Sequence, residues 1–267
     1  MEIKSGYALI TGATSGIGLE LARLFAKDNY NLVIVARSEN ELDTTSKLLR
    51  ELGTIEVVSI AKDLFKKEAA LELYNDVKGK GITIDILVNN AGQGQYGEFI
   101  DIELEREMEI IQLNICSVVS LTKLYLKEMV GRGSGKILNV TSVAGKIPGP
   151  LQAVYHGTKA FAHSFTEAIR DEVKNSGVTI TSLLPGATDT DFFSKADMLD
   201  AKNVAEGKLA DPADVAADGY KALMRGDDMV ISGFQNKVQV AMSNVIPDSA
   251  VAKMVHKQQA PVTDEKK

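Results

Sequence analysis

The chain has 267 residues, 45% of them hydrophobic and 25% charged, and thirty Lys and Arg against thirty-six Asp and Glu leave a net charge of −6. This is ordinary globular composition: a single cysteine (Cys116) excludes an internal disulfide, no Cys/His cluster has zinc spacing, and no basic block suggests a nucleic-acid binder. No apolar run reaches about 18 residues and the first four residues lead straight into a strand-like run, so no signal peptide or membrane span is expected and the default is a cytoplasmic enzyme or binding protein.

Short runs rich in Val, Ile and Leu at 7–11, 31–36, 55–60, 84–89, 136–141, 178–184 and 229–232 predict strands. Most lack polar alternation, as expected of parallel strands covered on both faces. Between them, helical spacing predicts helices over 17–28, 40–52, 66–78, 103–130, 153–175 and 212–224. The alternation argues for an α/β fold, a single-domain Rossmann-type doubly wound parallel sheet of about seven strands. Residues 1–233 would form this domain, with a mobile lid at about 188–210. Residues 234–267 would add a helical extension, interrupted at Pro247, and a disordered polar tail from Val262.

The first strand runs into Gly12, Thr14, Ser15, Gly16, Ile17 and Gly18, a G-x-x-x-G-x-G loop opening a helix. Free N–H groups and the macrodipole at a helix N-terminus suit a pyrophosphate, and glycines let the backbone approach it. About twenty residues on, a dinucleotide fold reads the adenosine ribose. There the second strand ends Val35-Ala36-Arg37-Ser38, with no carboxylate at its tip. A guanidinium matches a 2′-phosphate in charge and shape, so the expected cofactor is NADP(H).

Further along, Asn89-Asn90-Ala91-Gly92 ends the fourth strand, Asn114 lies in the next helix, and Ser142 ends the fifth strand. Tyr155 and Lys159 share one helical face four residues apart. Together, T-G-x-x-x-G-x-G, N-N-A-G, a Ser thirteen residues before Y-x-x-x-K, and a P-G after the sixth strand resemble the short-chain dehydrogenase/reductase family over roughly residues 5–233. The resemblance implies that Tyr155 is the general acid/base, Lys159 lowers its pKa and binds the nicotinamide ribose, and Ser142 polarises the substrate carbonyl. It also implies that Asn114 supports a water-linked proton relay. Asp63 and the Leu64 backbone would approach the adenine, although Asp63 reads almost as well as a helix cap. Asn90, Ala91 and Gly92 would line the adenosine side, and Pro185, Gly186 and Thr188 the nicotinamide end, with Thr188 preferred over Thr190. No metal is implied. A homodimer or homotetramer built on helices 103–130 and 153–175 is.

A free tyrosine titrates near pH 10, so a phenol poised near neutrality needs roughly 4 kcal/mol of phenolate stabilisation. An ammonium about 4 Å away supplies roughly that at an effective dielectric of about 20. Lys159 alone is therefore expected to be nearly sufficient. The other notable residues read more plainly. Cys116 is expected to be a buried, inert thiol, His156 a partly exposed helix residue, and residues 101–109 a solvated acidic face, while His163 and His256 show no partner spacing. Phe192, Phe193, Met198 and Leu199 read as an apolar lid facing Gln93, Gln95 and Tyr96, which favours an apolar or amphipathic carbonyl or alcohol substrate. The 238–255 pattern reads as an intersubunit contact or a cover over the substrate mouth. The leading function is an NADPH-dependent carbonyl reductase, reversible as an alcohol dehydrogenase. The alternatives are a non-catalytic NADP(H) sensor or scaffold, and an epimerase or dehydratase on the same fold.

Overall fold

The computed structural model describes residues 4–243 and 245–262. Met1–Ile3 and the expected polar tail after Val262 lie outside them. Seven strands, β1 (Lys4–Thr11), β2 (Tyr30–Ala36), β3 (Val57–Ala61), β4 (Ile84–Asn89), β5 (Gly135–Val140), β6 (Val178–Leu184) and β7 (Met229–Ile231), form one parallel sheet in the order β3-β2-β1-β4-β5-β6-β7. Neighbouring strand residues point to opposite faces, which explains the unbroken apolar runs. Ile10, Ile34, Val88 and Leu138 enter one core with Phe25, while Leu9, Val33, Leu87 and Ile137 enter the other with Tyr125. On the first face lie α1 (Gly16–Lys27), α2 (Glu39–Arg50) and α9 (Pro212–Arg225). On the second lie α3 (Ala69–Gly79), α4 (Leu104–Ile111), α5 (Ser117–Arg132) and α6 (Ala153–Val173). Strand order reverses between β1 and β4, so a crevice opens at their carboxyl ends.

Two helical expectations change. Helix α3 starts at Ala69 rather than residue 66, because Asp63 Oδ1 accepts the Phe65 amide at 3.2 Å and holds a turn ahead of it. The helix expected over 103–130 carries a π turn at Gln112–Cys116 between α4 and α5. By length and composition Leu104–Arg132 is apolar enough to cross a membrane, contrary to the expectation of no such run, but 44% of its most apolar window is buried inside the fold. Leu113, Leu121, Tyr125 and Met129 pack against the sheet, and the polar residues among them had masked the run.

Cys116 is exposed rather than buried. It follows Asn114 by two residues, roughly 200° around a helix, so an inward Asn114 sends it outward. Within the acidic stretch, Glu107 is buried, and burial raises its pKa despite the neighbouring Arg106.

The segment after β6 folds as the short helices α7 (Phe192–Lys195) and α8 (Lys202–Ala205) around Phe193, Ala196, Met198 and Ala201. Its base is fastened by a bridge between Thr188 and Ala210. Leu199, expected among the lid's inner residues, is 59% exposed. The chain ends in α10 (Phe234–Ser243) and α11 (Asp248–Gln259), with Pro247 at the N-cap of the latter.

Candidate active site

The crevice holds a cavity of about 1000 Å³. Every residue expected to act in catalysis or to bind the cofactor borders it except Gly18 and Asn114. These two act from behind. A Cβ on Gly18 would lie 2.1 Å from the Gly12 carbonyl oxygen, so only glycine lets α1 approach the loop this closely. Gly12 itself has φ +66, the left-handed region.

Hydrogen bonds fasten this loop to β4. Thr11 Oγ1 accepts the Asn90 and Ala91 amides, both at 3.0 Å, and Asn90 Nδ2 donates to the Thr11 and Gly12 carbonyl oxygens at 2.9 and 3.1 Å. Asn90 therefore shapes the glycine loop as well as bordering the cavity. The N-cap of α1, Ser15, makes no side-chain cap bond, which leaves first-turn N–H groups at the cavity without a capping side chain. An anionic phosphate fits such a helix start.

Arg37 stands exposed at the end of β2 with its guanidinium carbon 5.3 Å from the Phe65 ring centroid. That aromatic shelf, placed by Asp63 and the buried Leu64, was not legible in the sequence. Asp63 caps the Leu64–Phe65 turn rather than α3, whose N-cap is Glu68. A carboxylate absent from the strand tip also reaches this end: Glu41, in the first turn of α2, accepts the Thr14 hydroxyl at 3.0 Å.

At the other end, Ser142 caps the 3-10 turn Val143–Lys146. Its Oγ accepts the Ala144 amide at 3.1 Å and donates to the Pro185 carbonyl oxygen at 3.3 Å. Tyr155 lies on the first turn of α6 and Lys159 one turn later. Burial pushes the Tyr155 phenol up to about 12, opposed by a hydrogen bond with Ser142. Burial also brings the Lys159 ammonium down to about 8. Against the expectation that Lys159 alone is nearly sufficient, it does not bring the phenol toward neutrality here. Its Nζ lies 5.8 Å from the tyrosine ring centroid and donates to the Val140 carbonyl oxygen at 2.9 Å, so desolvation of both charged forms dominates.

Asn114 sits in the π turn, 2% exposed. Its Oδ1 accepts the Gln93 amide at 3.1 Å, and its Nδ2 donates to the Gln93 carbonyl oxygen and to Thr158 Oγ1. The side chain thus ties the loop after β4 to α6 and is not free for substrate. Thr188 Oγ1 is turned back onto the Gly186 carbonyl oxygen at 2.9 Å, and Thr188 and Thr190 both border the cavity.

His156 is buried, not partly exposed: its Nδ1 meets the Ile147 carbonyl oxygen at 2.9 Å because the loop before α6 folds over it, and burial lowers its pKa. His163 does have a partner, Ser182 Oγ at 3.2 Å. Phe192 lies 5.0 Å from Tyr155, centroid to centroid. Of the facing loop only Gln93 reaches the cavity. Gln95 and Tyr96 instead hold the lid, through Asp197 and the Ala196 carbonyl oxygen. Helices α10 and α11 border the cavity through residues such as Gln239, Met254 and Val255.

Comparison with known proteins gives the same picture. Residues 6–199 match the family described as short chain dehydrogenase. A very-long-chain 3-oxoacyl-CoA reductase from Bos taurus is 36% identical over 185 residues, 67% of this chain but 58% of that protein's length. An uncharacterized oxidoreductase of Staphylococcus saprophyticus is 30% identical over 214 residues, 78% of this chain and 92% of its own. Among solved structures, a short-chain dehydrogenase from Sphingobium yanoikuyae in complex with NADPH superposes with a TM-score of 0.82 at 26% identity, covering 97% of this chain and 99% of that one. With family pattern, relatives and sheet order in agreement, this chain belongs to the short-chain dehydrogenase family of oxidoreductases.

Proposed function

We propose that this protein is an NADP(H)-dependent oxidoreductase acting between a carbonyl and its alcohol. The observation that carries the reading is one continuous cavity, with the glycine loop and Arg37 at one end and Ser142, Tyr155 and Lys159 at the other. The α1 N-terminus and glycine loop would hold the pyrophosphate, Arg37 the 2′-phosphate, and Lys159 the nicotinamide ribose. When bound, the nicotinamide supplies or accepts a hydride.

The chain's own groups handle the proton. A phenol held near 12 keeps its proton at neutral pH, so Tyr155 Oη is set to donate to a carbonyl oxygen as that oxygen gains charge. Ser142 Oγ, fixed in place by the Ala144 amide, offers a second hydroxyl donor to the same oxygen when its one O–H turns there from the Pro185 carbonyl oxygen. Asn114 keeps Gln93 and α6 in register. Phe192, Phe193 and Met198 keep water from this end of the cavity. These apolar groups favour a carbonyl with an apolar or amphipathic body, and the bovine relative's name makes a 3-oxoacyl compound a natural class to try. The same reading makes the protein a cytoplasmic homodimer or homotetramer joined through α5 and α6, where Val130 and Phe161 are exposed.

Arg37→Ala tests the cofactor assignment. Titration followed by nicotinamide fluorescence should show NADPH affinity falling by about 10- to 1,000-fold, as expected on losing one or two charge-assisted hydrogen bonds. NADH affinity should barely change. Wild-type protein that binds NADH as tightly as NADPH would sink the role given to Arg37.

A further inference from the structure

Two buried amide groups beside the catalytic residues lack partners. Gln152 Nε2 and Gln259 Oε1 have no hydrogen-bond partner among the described residues, and both glutamines border the cavity. The side chains are 4% and 6% exposed, and they meet each other: Gln259 Nε2 lies 3.5 Å from Gln152 Oε1. Turning both amides over leaves the same remainder, one donor and one acceptor unused. Buried polar groups are normally satisfied, and an unmade bond there is costly.

The backbone holds both side chains in place. Gln152 is the N-cap of α6, three residues before Tyr155, yet its side chain makes no cap bond. A Ser, Thr, Asp or Asn at an N-cap turns its side chain onto the first-turn N–H groups; the longer glutamine here does not. The residue before it, Leu151, has φ +67, a conformation unfavourable for leucine that sets the direction in which the chain enters α6.

Gln259 ends α11, and the lid and facing loop fix its surroundings. Tyr96 Oη donates to the Gln259 carbonyl oxygen at 2.6 Å, the Lys202 amide donates to the Ala260 carbonyl oxygen at 3.0 Å, and Pro261 bridges Ala201. Two cavity walls far apart in sequence therefore bring an amide pair together, with a spare donor and a spare acceptor.

We infer that the Gln152–Gln259 pair is a substrate-recognition site for a second polar group on the carbonyl substrate, one that both accepts and donates a hydrogen bond. A secondary amide has this pattern; an ester offers acceptors only, and an alkyl ketone offers nothing beyond the reacting carbonyl. The inference rests on the carbonyl-reducing reading and names the substrate class for it.

The test is steady-state reduction by NADPH of N-methyl-3-oxobutanamide, methyl 3-oxobutanoate and 2-pentanone, by wild type, Gln152→Met and Gln259→Met. The readout is the ratio of kcat/KM for amide over ketone and amide over ester. It does not depend on how much enzyme is folded, and inherent reactivity cancels between variant and wild type. Each substitution should shrink the wild-type amide preference by at least about tenfold, the effect of losing one buried hydrogen bond. Unchanged ratios in both variants would overturn the recognition role while leaving the reduction standing. Failure of wild type to reduce any of the three would overturn the reduction reading and this inference with it.

Discussion

Tyr155→Phe is expected to lower kcat for carbonyl reduction by about 10²–10⁴-fold, the usual contribution of a positioned proton donor. The ring itself is retained, so its contact with Phe192 persists, and Ser142 keeps its bonds to Ala144 and Pro185. NADPH affinity, measured by fluorescence titration, should therefore stay within about threefold of wild type. A variant that loses binding and turnover together would point to a packing role for the tyrosine.

Lys159→Met is expected to inactivate the enzyme and yet stabilise it without ligand. Lys159 is 7% exposed, forms no ion pair among the described residues, and titrates near 8 instead of 10.5 because it is buried. Below pH 8 the folded protein carries a buried ammonium at a cost of about 3 kcal/mol, the free-energy equivalent of that displacement. Between about pH 8 and 10.5 the unfolded chain holds a proton that the native one has released, so wild-type stability from this group rises with pH. Tyr155 acts in the opposite sense above pH 10, where the native phenol keeps a proton that the unfolded chain loses. Methionine removes the buried charge but leaves the Val140 carbonyl oxygen short of a donor, worth about 1 kcal/mol. Denaturant unfolding at pH 7 should then show a net gain of about 2 kcal/mol, with the pH 8–10.5 rise abolished. A less stable variant would mean that the ammonium is better solvated than its burial implies. The wild type would be retaining this costly lysine for function.

Features written in local chain chemistry were legible in the sequence. Asp211 caps α9 through the Ala213 amide, Pro212 takes its first position, and Gly226 closes it at φ +77, so this helix lies where Pro and Gly placed it. The glycine loop, N-N-A-G and Y-x-x-x-K meet in one cavity because the sheet reverses order between β1 and β4. What failed depended on neighbours distant in sequence. His156 is buried by the loop before α6, and Arg37 finds its shelf on Phe65 after β3. A 3.6-residue period does not reveal the extra backbone residue of the π turn around Asn114. The Gln152–Gln259 pair joins positions 107 apart and had no sequence signal.

The decisive measurement is stoichiometry: NADPH consumed at 340 nm against alcohol formed from a 3-oxo ester or amide by purified wild-type protein. One alcohol for each NADPH, with Tyr155→Phe reduced to a small residue of that rate, is the predicted result. Tight NADPH binding with no alcohol from any carbonyl offered would contradict it, and would identify a nucleotide-binding protein without turnover on this fold.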